Sequence, residues 1–185
     1  MVDFPPIFKK LVKQLRKSVY KLYGKRVKDI NNLFNIAVCS RYTKRTDKIS
    51  AHQDDERWLK PNLDNENSII ASLTLYVDEE PTNPRRFQIK DDDEWVNFNL
   101  HHNSILFFSN QTHRVLPLKK KDKNSDRINI TFRTLETGLL GLVGYGNFYR
   151  YMSLPFKIQF TKIELQKKYL HYFNKLVNDL EIEIV

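Results

Sequence analysis

The sequence predicts a mainly β fold with flanking helices, of the sandwich, jelly-roll or barrel type. Three observations carry this. Between residues 34 and 133, short apolar runs alternate with a period of two, the spacing at which successive strand side chains point to opposite faces. Loops rich in Asp, Asn and Pro, such as KPNLDNENS and DEEPTNP, separate these runs, and many short strands so spaced build double-layered or closed β architectures. Before residue 34 and again after Pro155 the apolar positions recur at helical spacing instead. We therefore read residues 1–33 as a basic N-terminal helix and 34–133 as the β core. Residues 134–185 read as a Gly-rich linker and a C-terminal amphipathic helix of the same domain.

The N-terminal helix opens at Pro5 and Pro6, which suit a first turn. Ile7/Phe8, Leu11/Val12, Leu15, Val19 and Leu22 form its apolar stripe, and Gly24 ends it. From Lys9 to Lys28 there are nine basic residues and no acid. Such a run is either a solvated face or a surface for phosphates.

The strands follow in order: FNIAVCSRY, KISAH, IIASLTLYV, RFQIK, WVNFNL, SILFFS, HRVLP and RINITFR. The clearest is IIASLTLYV, in which Ile69, Ala71, Leu73, Leu75 and Val77 alternate with Ile70, Ser72, Thr74 and Tyr76. In the last segment, four of the five glycines cluster at 138, 141, 144 and 146, and no phosphate-loop pattern fits them. Thr161 and Glu164 form a capping box, and Leu165, Tyr169, Tyr172/Phe173, Leu176 and Leu180 form a helical stripe expected to pack on the body of the protein.

Bulk properties narrow the class. Apolar residues make up 41% and aromatics 12%, which places the chain among globular rather than disordered proteins. The formal charge of +9 suggests a polyanionic partner, most often nucleic acid and less often an anionic membrane surface. The single cysteine, Cys39, excludes an internal disulfide framework and fits a reducing compartment. No run approaches the roughly 20 apolar residues of a membrane span, and the start MVDFPPIFKK lacks a signal-peptide core. The expectation is an intracellular protein of the cytoplasm or nucleus, monomeric, with no membrane partner.

The chemistry begins with RINITFR. Read as a strand, it puts Ile128, Ile130 and Phe132 on one face and Arg127, Asn129, Thr131 and Arg133 on the other. The second row is either a solvated edge or, if it faces inward, a row of cations that needs anions. The stretch AHQDDE places His52 and Asp54 two residues apart, close enough on a strand to share a metal. His113, in SNQTHRVLP, is the favoured third ligand; His101 and His102 compete but are expected to be exposed beside a turn at Asn103, and His171 is expected on the surface of the C-terminal helix. Two histidines and a carboxylate form the facial triad of non-haem iron(II) oxygenases. Such an oxygenase needs a co-substrate that chelates iron and supplies electrons. 2-Oxoglutarate does both, and its two carboxylates suit two arginines on one strand.

The order FNIAVCSRY…HQDDE…SLTL…RRF…H…RINITFR resembles the AlkB family of iron(II)/2-oxoglutarate-dependent dioxygenases over residues 30–135. The resemblance implies a double-stranded β-helix (jelly-roll) core and the cofactors Fe(II), 2-oxoglutarate and O2. It implies His52, Asp54 and His113 as the metal ligands and catalytic centre. Arg127 and Arg133 would hold the two ends of 2-oxoglutarate, with Asn129, Thr131 and Tyr42 lining the same pocket. Ser40 stands where the family usually has asparagine. Asp55 and Glu56 match residues that contact the exocyclic amine of a flipped base, and Arg85 and Phe87 match an R-x-F strand near the substrate. The family's nucleotide lid, which precedes the core, has only the basic helix in its place here. The implied function is oxidative demethylation of N-alkylated bases, of the 1-methyladenine and 3-methylcytosine type, in single-stranded DNA or RNA. The alternatives are an oxygenase acting on a protein or small molecule, and an inactive nucleic-acid-binding jelly roll.

Overall fold

A computed structural model describes residues 4, 6–54, 59–64, 67–77, 79–109 and 111–135. Helix α1 spans Pro6–Tyr23. Gly24 stops it with φ 57°, the left-handed conformation that glycine adopts without steric cost. Two single-turn 3-10 helices follow, at Gly24–Arg26 and Ile30–Asn32. Phe34, at φ 59°, then turns the chain into the first strand, held by its N–H donating to Thr134 Oγ1 at 2.9 Å.

All eight expected strands form: β1 (Ile36–Tyr42), β2 (Ile49–His52), β3 (Ile70–Tyr76), β4 (Arg86–Asp91), β5 (Glu94–Asn99), β6 (Ile105–Phe108), β7 (His113–Val115) and β8 (Arg127–Arg133). They make two antiparallel four-stranded sheets, ordered β1-β8-β3-β6 and β2-β7-β4-β5, the face-to-face layers of a jelly roll. The turn expected at Asn103 is present, with φ 61°, a left-handed value that asparagine tolerates.

The first sheet is covered on both sides. Its outer face carries Ala71, Leu73, Leu75, Ile130 and Phe132, which join Leu11, Val12, Leu15 and Val19 of α1 in one apolar core. Its inner face looks toward the second sheet, where Tyr42, Ile70, Phe87, Leu100, Phe108 and Val115 form a smaller core. This double covering is why every residue of β3 is buried, although its period-2 pattern could equally describe a strand with one wet face. It also settles the row in β8: its apolar face, Ile128, Ile130 and Phe132, packs against α1, so its polar face is turned toward the second sheet.

One position of the helical stripe departs from expectation. Leu22 is 42% exposed, because after Val19 the position facing the core falls to Tyr23, which packs against it, and Leu22 is turned away. The expected C-terminal helix, the linker before it and His171 lie outside the described residues. Among the described residues, no helix is long and apolar enough to cross a membrane.

The two helix positions should behave differently. Leu15 is wholly buried, so Leu15→Ala should cost about 2–5 kcal/mol in urea unfolding, whereas Leu22→Ala should stay within about 0.5 kcal/mol of the parent. Equal costs would contradict the placement of α1.

Candidate active site

The site is built where the two sheets face one another. β2 pairs with β7 so that His52 lies directly opposite His113, and their ring centroids are 4.3 Å apart. β2 ends at His52, and the chain then curls so that buried Asp54 comes within 3.5 Å of His52 Nε2. One ligand atom from each of His52, Asp54 and His113 lies within 4.8 Å of the others, and among the described residues this is the cluster of His, Cys, Asp and Glu able to hold a metal ion.

Backbone carbonyls fix the imidazoles. His52 Nδ1 is 2.8 Å from the Ser50 carbonyl and His113 Nδ1 is 2.9 Å from the Gln111 carbonyl. A carbonyl can only accept, so each Nδ1 carries the proton and each Nε2 is left with a lone pair, the arrangement of a metal-ligating histidine. Burial lowers the pKa of His113 and keeps it neutral. The Asp54 carboxylate, 3.5 Å from Nε2, favours protonation of His52 and raises its pKa. Burial works against ionisation of Asp54, but His52 and Arg133 outweigh it and hold the carboxyl below its ordinary value. The ring of Phe87 stacks on His113 at 5.2 Å, and Phe108 meets the same ring edge-on at 4.8 Å. Phe87, expected near the substrate, thus packs directly on the metal cluster.

The polar row of β8 runs away from this cluster. Arg133 stands at the metal end, its Nη2 3.0 Å and 2.9 Å from the two oxygens of Asp54. Asn129 donates to Thr131 Oγ1 at 2.8 Å and accepts from Ser72 Oγ at 2.9 Å. Arg127 stands at the far end, 0% exposed. Its Nη2 donates to Thr74 Oγ1 at 3.0 Å and to Asn129 Oδ1 at 2.6 Å. Its Nε and Nη1 have no hydrogen-bond partner among the described residues, and neither has the hydroxyl of buried Tyr42, whose ring lies 4.8 Å from the Arg127 guanidinium. Burial lowers the Arg127 pKa, yet an arginine stays a cation at any physiological pH. A buried cation, two vacant donors and a vacant hydroxyl together make a receptor for a carboxylate. The distal end of 2-oxoglutarate fits that receptor, and the His-Asp-His cluster fits Fe(II).

The register explains the pocket walls. In β1, Ser40 and Tyr42 lie opposite Asn129 and Arg127. In β3, Ser72, Thr74 and Tyr76 lie opposite Thr131, Asn129 and Arg127. The β3 residues were not foreseen, though the Ser-x-Thr-x-Tyr set inside an apolar strand was their signal. Two other residues, Arg85 and His102, sit differently from expectation, while His101 is exposed as expected. Arg85 is 1% exposed, with its guanidinium bonded to main-chain carbonyls of Lys44 and Asp47, so two of its donors point at the turn after β1. His101 is exposed and bonded to Glu80 at 2.7 Å. His102, expected exposed, is half-buried because its Nδ1 accepts the Tyr76 N–H at 2.9 Å. Asp55 and Glu56 lie outside the described residues.

Three outcomes follow. Asp54→Ala should abolish binding of Mn(II), an inert substitute for iron, as read by electron paramagnetic resonance. In the parent, Mn(II) affinity should fall as pH drops through the raised pKa of His52, because the proton and the metal compete for Nε2; a flat profile from pH 8 to 5 would contradict the ligand role of His52. Arg127→Met should weaken 2-oxoglutarate binding by about tenfold or more without lowering the melting temperature of the ligand-free protein, since it removes an uncompensated buried charge. A lowered melting temperature with unchanged binding would mean Arg127 is structural only.

A family model described as the 2OG-Fe(II) oxygenase superfamily matches residues 2–133. Among solved structures, the chain is similar to a Pseudomonas putida prolyl-4-hydroxylase, at 15% identity and a TM-score of 0.40, over 68% of this chain and 61% of that one. The chain thus spans less than two thirds of that enzyme. No curated protein matches it by sequence.

Proposed function

The chain belongs to the 2OG-Fe(II) oxygenase superfamily, and within it we propose an oxidative demethylase of the AlkB type, acting on N-alkylated bases in single-stranded nucleic acid. The family uses Fe(II), 2-oxoglutarate and O2. When bound, these supply the oxidising power to hydroxylate a C–H bond while 2-oxoglutarate leaves as succinate and carbon dioxide. His52, Asp54 and His113 would hold the metal. Arg127 and Tyr42 would hold the distal carboxylate, and Asn129 and Thr74 keep the Arg127 guanidinium turned toward it. Arg133 neutralises Asp54 and orients its carboxylate. A methyl group on N1 of adenine or N3 of cytosine, once hydroxylated, becomes a hemiaminal that collapses to formaldehyde and the bare base. Asp55 and Glu56, which follow Asp54 in the chain, are acceptors suited to the exocyclic amine that both bases carry.

The observation that carries the choice of nucleic acid is the outer face of α1. Lys13, Arg16, Lys17, Tyr20, Ile30 and Asn31 line an open groove between the helix and the following 3-10 turn. Lys13 and Lys17 lie one turn apart, a like-charge spacing that destabilises a helix, and α1 contains no acid to offset it. Tyr20 is 60% exposed among these cations. Basic side chains that follow a backbone, interleaved with an aromatic on which a base can stack, are the features of single-strand binding.

The test is formaldehyde release from 1-methyladenine and 3-methylcytosine in single-stranded DNA and RNA oligomers, with duplexes and peptides as controls. Activity on peptides and on no oligomer would move the enzyme to a protein-modifying role. Reversing Lys13 and Lys17 to Glu should weaken oligomer binding for all sequences alike and reduce the salt slope by about one per lost phosphate contact. Turnover of 2-oxoglutarate without substrate should stay unchanged in that variant.

A further inference from the structure

Arg85 is a second fully buried cation beside Arg127, and the chemistry described so far does not use it. It lies just before β4, at 1% exposure. Its Nη1 donates to the Asp47 carbonyl at 2.5 Å and its Nη2 to the Lys44 carbonyl at 2.6 Å. The fork thus clasps the turn between β1 and β2. The Asp47 carboxylate closes that turn from within, accepting from the N–H groups of Thr43 and Lys44 at 2.8 Å each. The guanidinium carbon of Arg85 lies 5.3 Å from the centre of the Tyr42 ring, the ring that also meets Arg127 at 4.8 Å. Its own N–H donates to the Tyr76 hydroxyl at 3.1 Å. Tyr42 and Tyr76 are the residues of β1 and β3 paired with Arg127 across β8. One arginine therefore touches both tyrosines that flank Arg127, as well as the turn that follows the first of them.

An arginine spent on two carbonyls and two tyrosines is an expensive way to hold a loop. A buried cation facing another cation is unfavourable, and Arg127 lies near enough that its charge, after burial, lowers the pKa of Arg85. Neither guanidinium has a hydrogen bond to a carboxylate among the described residues. The arrangement becomes favourable when an anion arrives at Arg127, because its charge offsets the repulsion between the two buried cations. The fork geometry serves a separate purpose. A planar group with two parallel donors fixes the turn in one position and so fixes the Tyr42 ring, whose hydroxyl is one of the vacant groups of the pocket.

We propose that Arg85 is a positioning residue of the co-substrate pocket: it clasps the turn after β1, sets the Tyr42 hydroxyl beside Arg127, and adds a second positive charge at the end that receives the distal carboxylate of 2-oxoglutarate. This rests on the 2-oxoglutarate reading of the pocket and is independent of the primary substrate. It makes selectivity for a dicarboxylate a property of two arginines, one in β8 and one just before β4. A 2-oxo acid without a distal carboxylate would reach the metal end and gain nothing from Arg85.

The experiment measures binding of 2-oxoglutarate and of 2-oxobutyrate to the full chain loaded with Mn(II), together with substrate-free turnover with Fe(II). Arg85→Gln should weaken 2-oxoglutarate by about tenfold or more through misplacement of the pocket while leaving 2-oxobutyrate and Mn(II) binding unchanged. The KM for 2-oxoglutarate should rise with little change in kcat, the pattern of lost ground-state binding. Arg85→Lys keeps the charge and loses the fork, so it should recover only part of the selectivity; full recovery would assign the effect to charge alone and overturn the positioning role. Equal losses for both 2-oxo acids, or no loss for either, would also overturn it. If Arg85→Gln does not fold, Asp47→Ala loosens the same turn without touching a buried charge and should lower the same ratio. If the parent itself does not prefer 2-oxoglutarate over 2-oxobutyrate, the co-substrate reading fails before the role of Arg85 is at issue.

Discussion

The structure turns on a cation in the middle of a sheet. Arg127 is wholly buried, held by Thr74 and Asn129, and faces no acid among its hydrogen-bond partners. Such a charge is costly in an apolar interior. It is placed on the strand with the most support, paired on both sides along its length, so the backbone cannot yield to let the side chain reach water. The rigidity of β8 is what would let a destabilising group serve as a receptor for an anion. A carboxylate entering beside Arg127 would offset that cost.

The two ends of the polar row are wired differently. At Arg133 the positive charge already has a partner, Asp54, which is also a candidate metal ligand. At Arg127 and Tyr42 the donors are vacant. An elongated dianion would therefore meet a pre-neutralised metal end and an uncompensated far end, which gives it one direction of entry. The histidines add to this order. Both present Nε2 because main-chain carbonyls take Nδ1, so the metal end is set by backbone geometry rather than by flexible side chains.

Helix α1 links the site to the surface. Its apolar stripe seals the outer face of the first sheet, and without that seal the row of β8 could not be central and dry. Its opposite face carries the basic groove. One helix thus closes the apolar core with one face and carries a basic groove on the other.

The sequence by itself determined the strands and the donor set. Period-2 runs bounded by Asp, Asn and Pro are a local signal, so all eight strands were legible, as were the helix up to Gly24 and the residues of the His-Asp-His cluster. The departures are of another kind. Leu22 reads as core but is exposed, because a stripe shows spacing and not which residue of its last turn, here Tyr23, meets the core. His102 reads as exposed but is held by the Tyr76 N–H. Ser72, Thr74 and Tyr76 were unassigned because both faces of β3 are buried, and alternation cannot say which face meets a ligand. Only the tertiary structure decided that Arg133 would find Asp54 across 79 residues and that Arg85 would spend its donors 38 and 41 residues away. Those contacts depend on how two sheets and their turns come to face one another, and periodicity carries no information about pairing at that range.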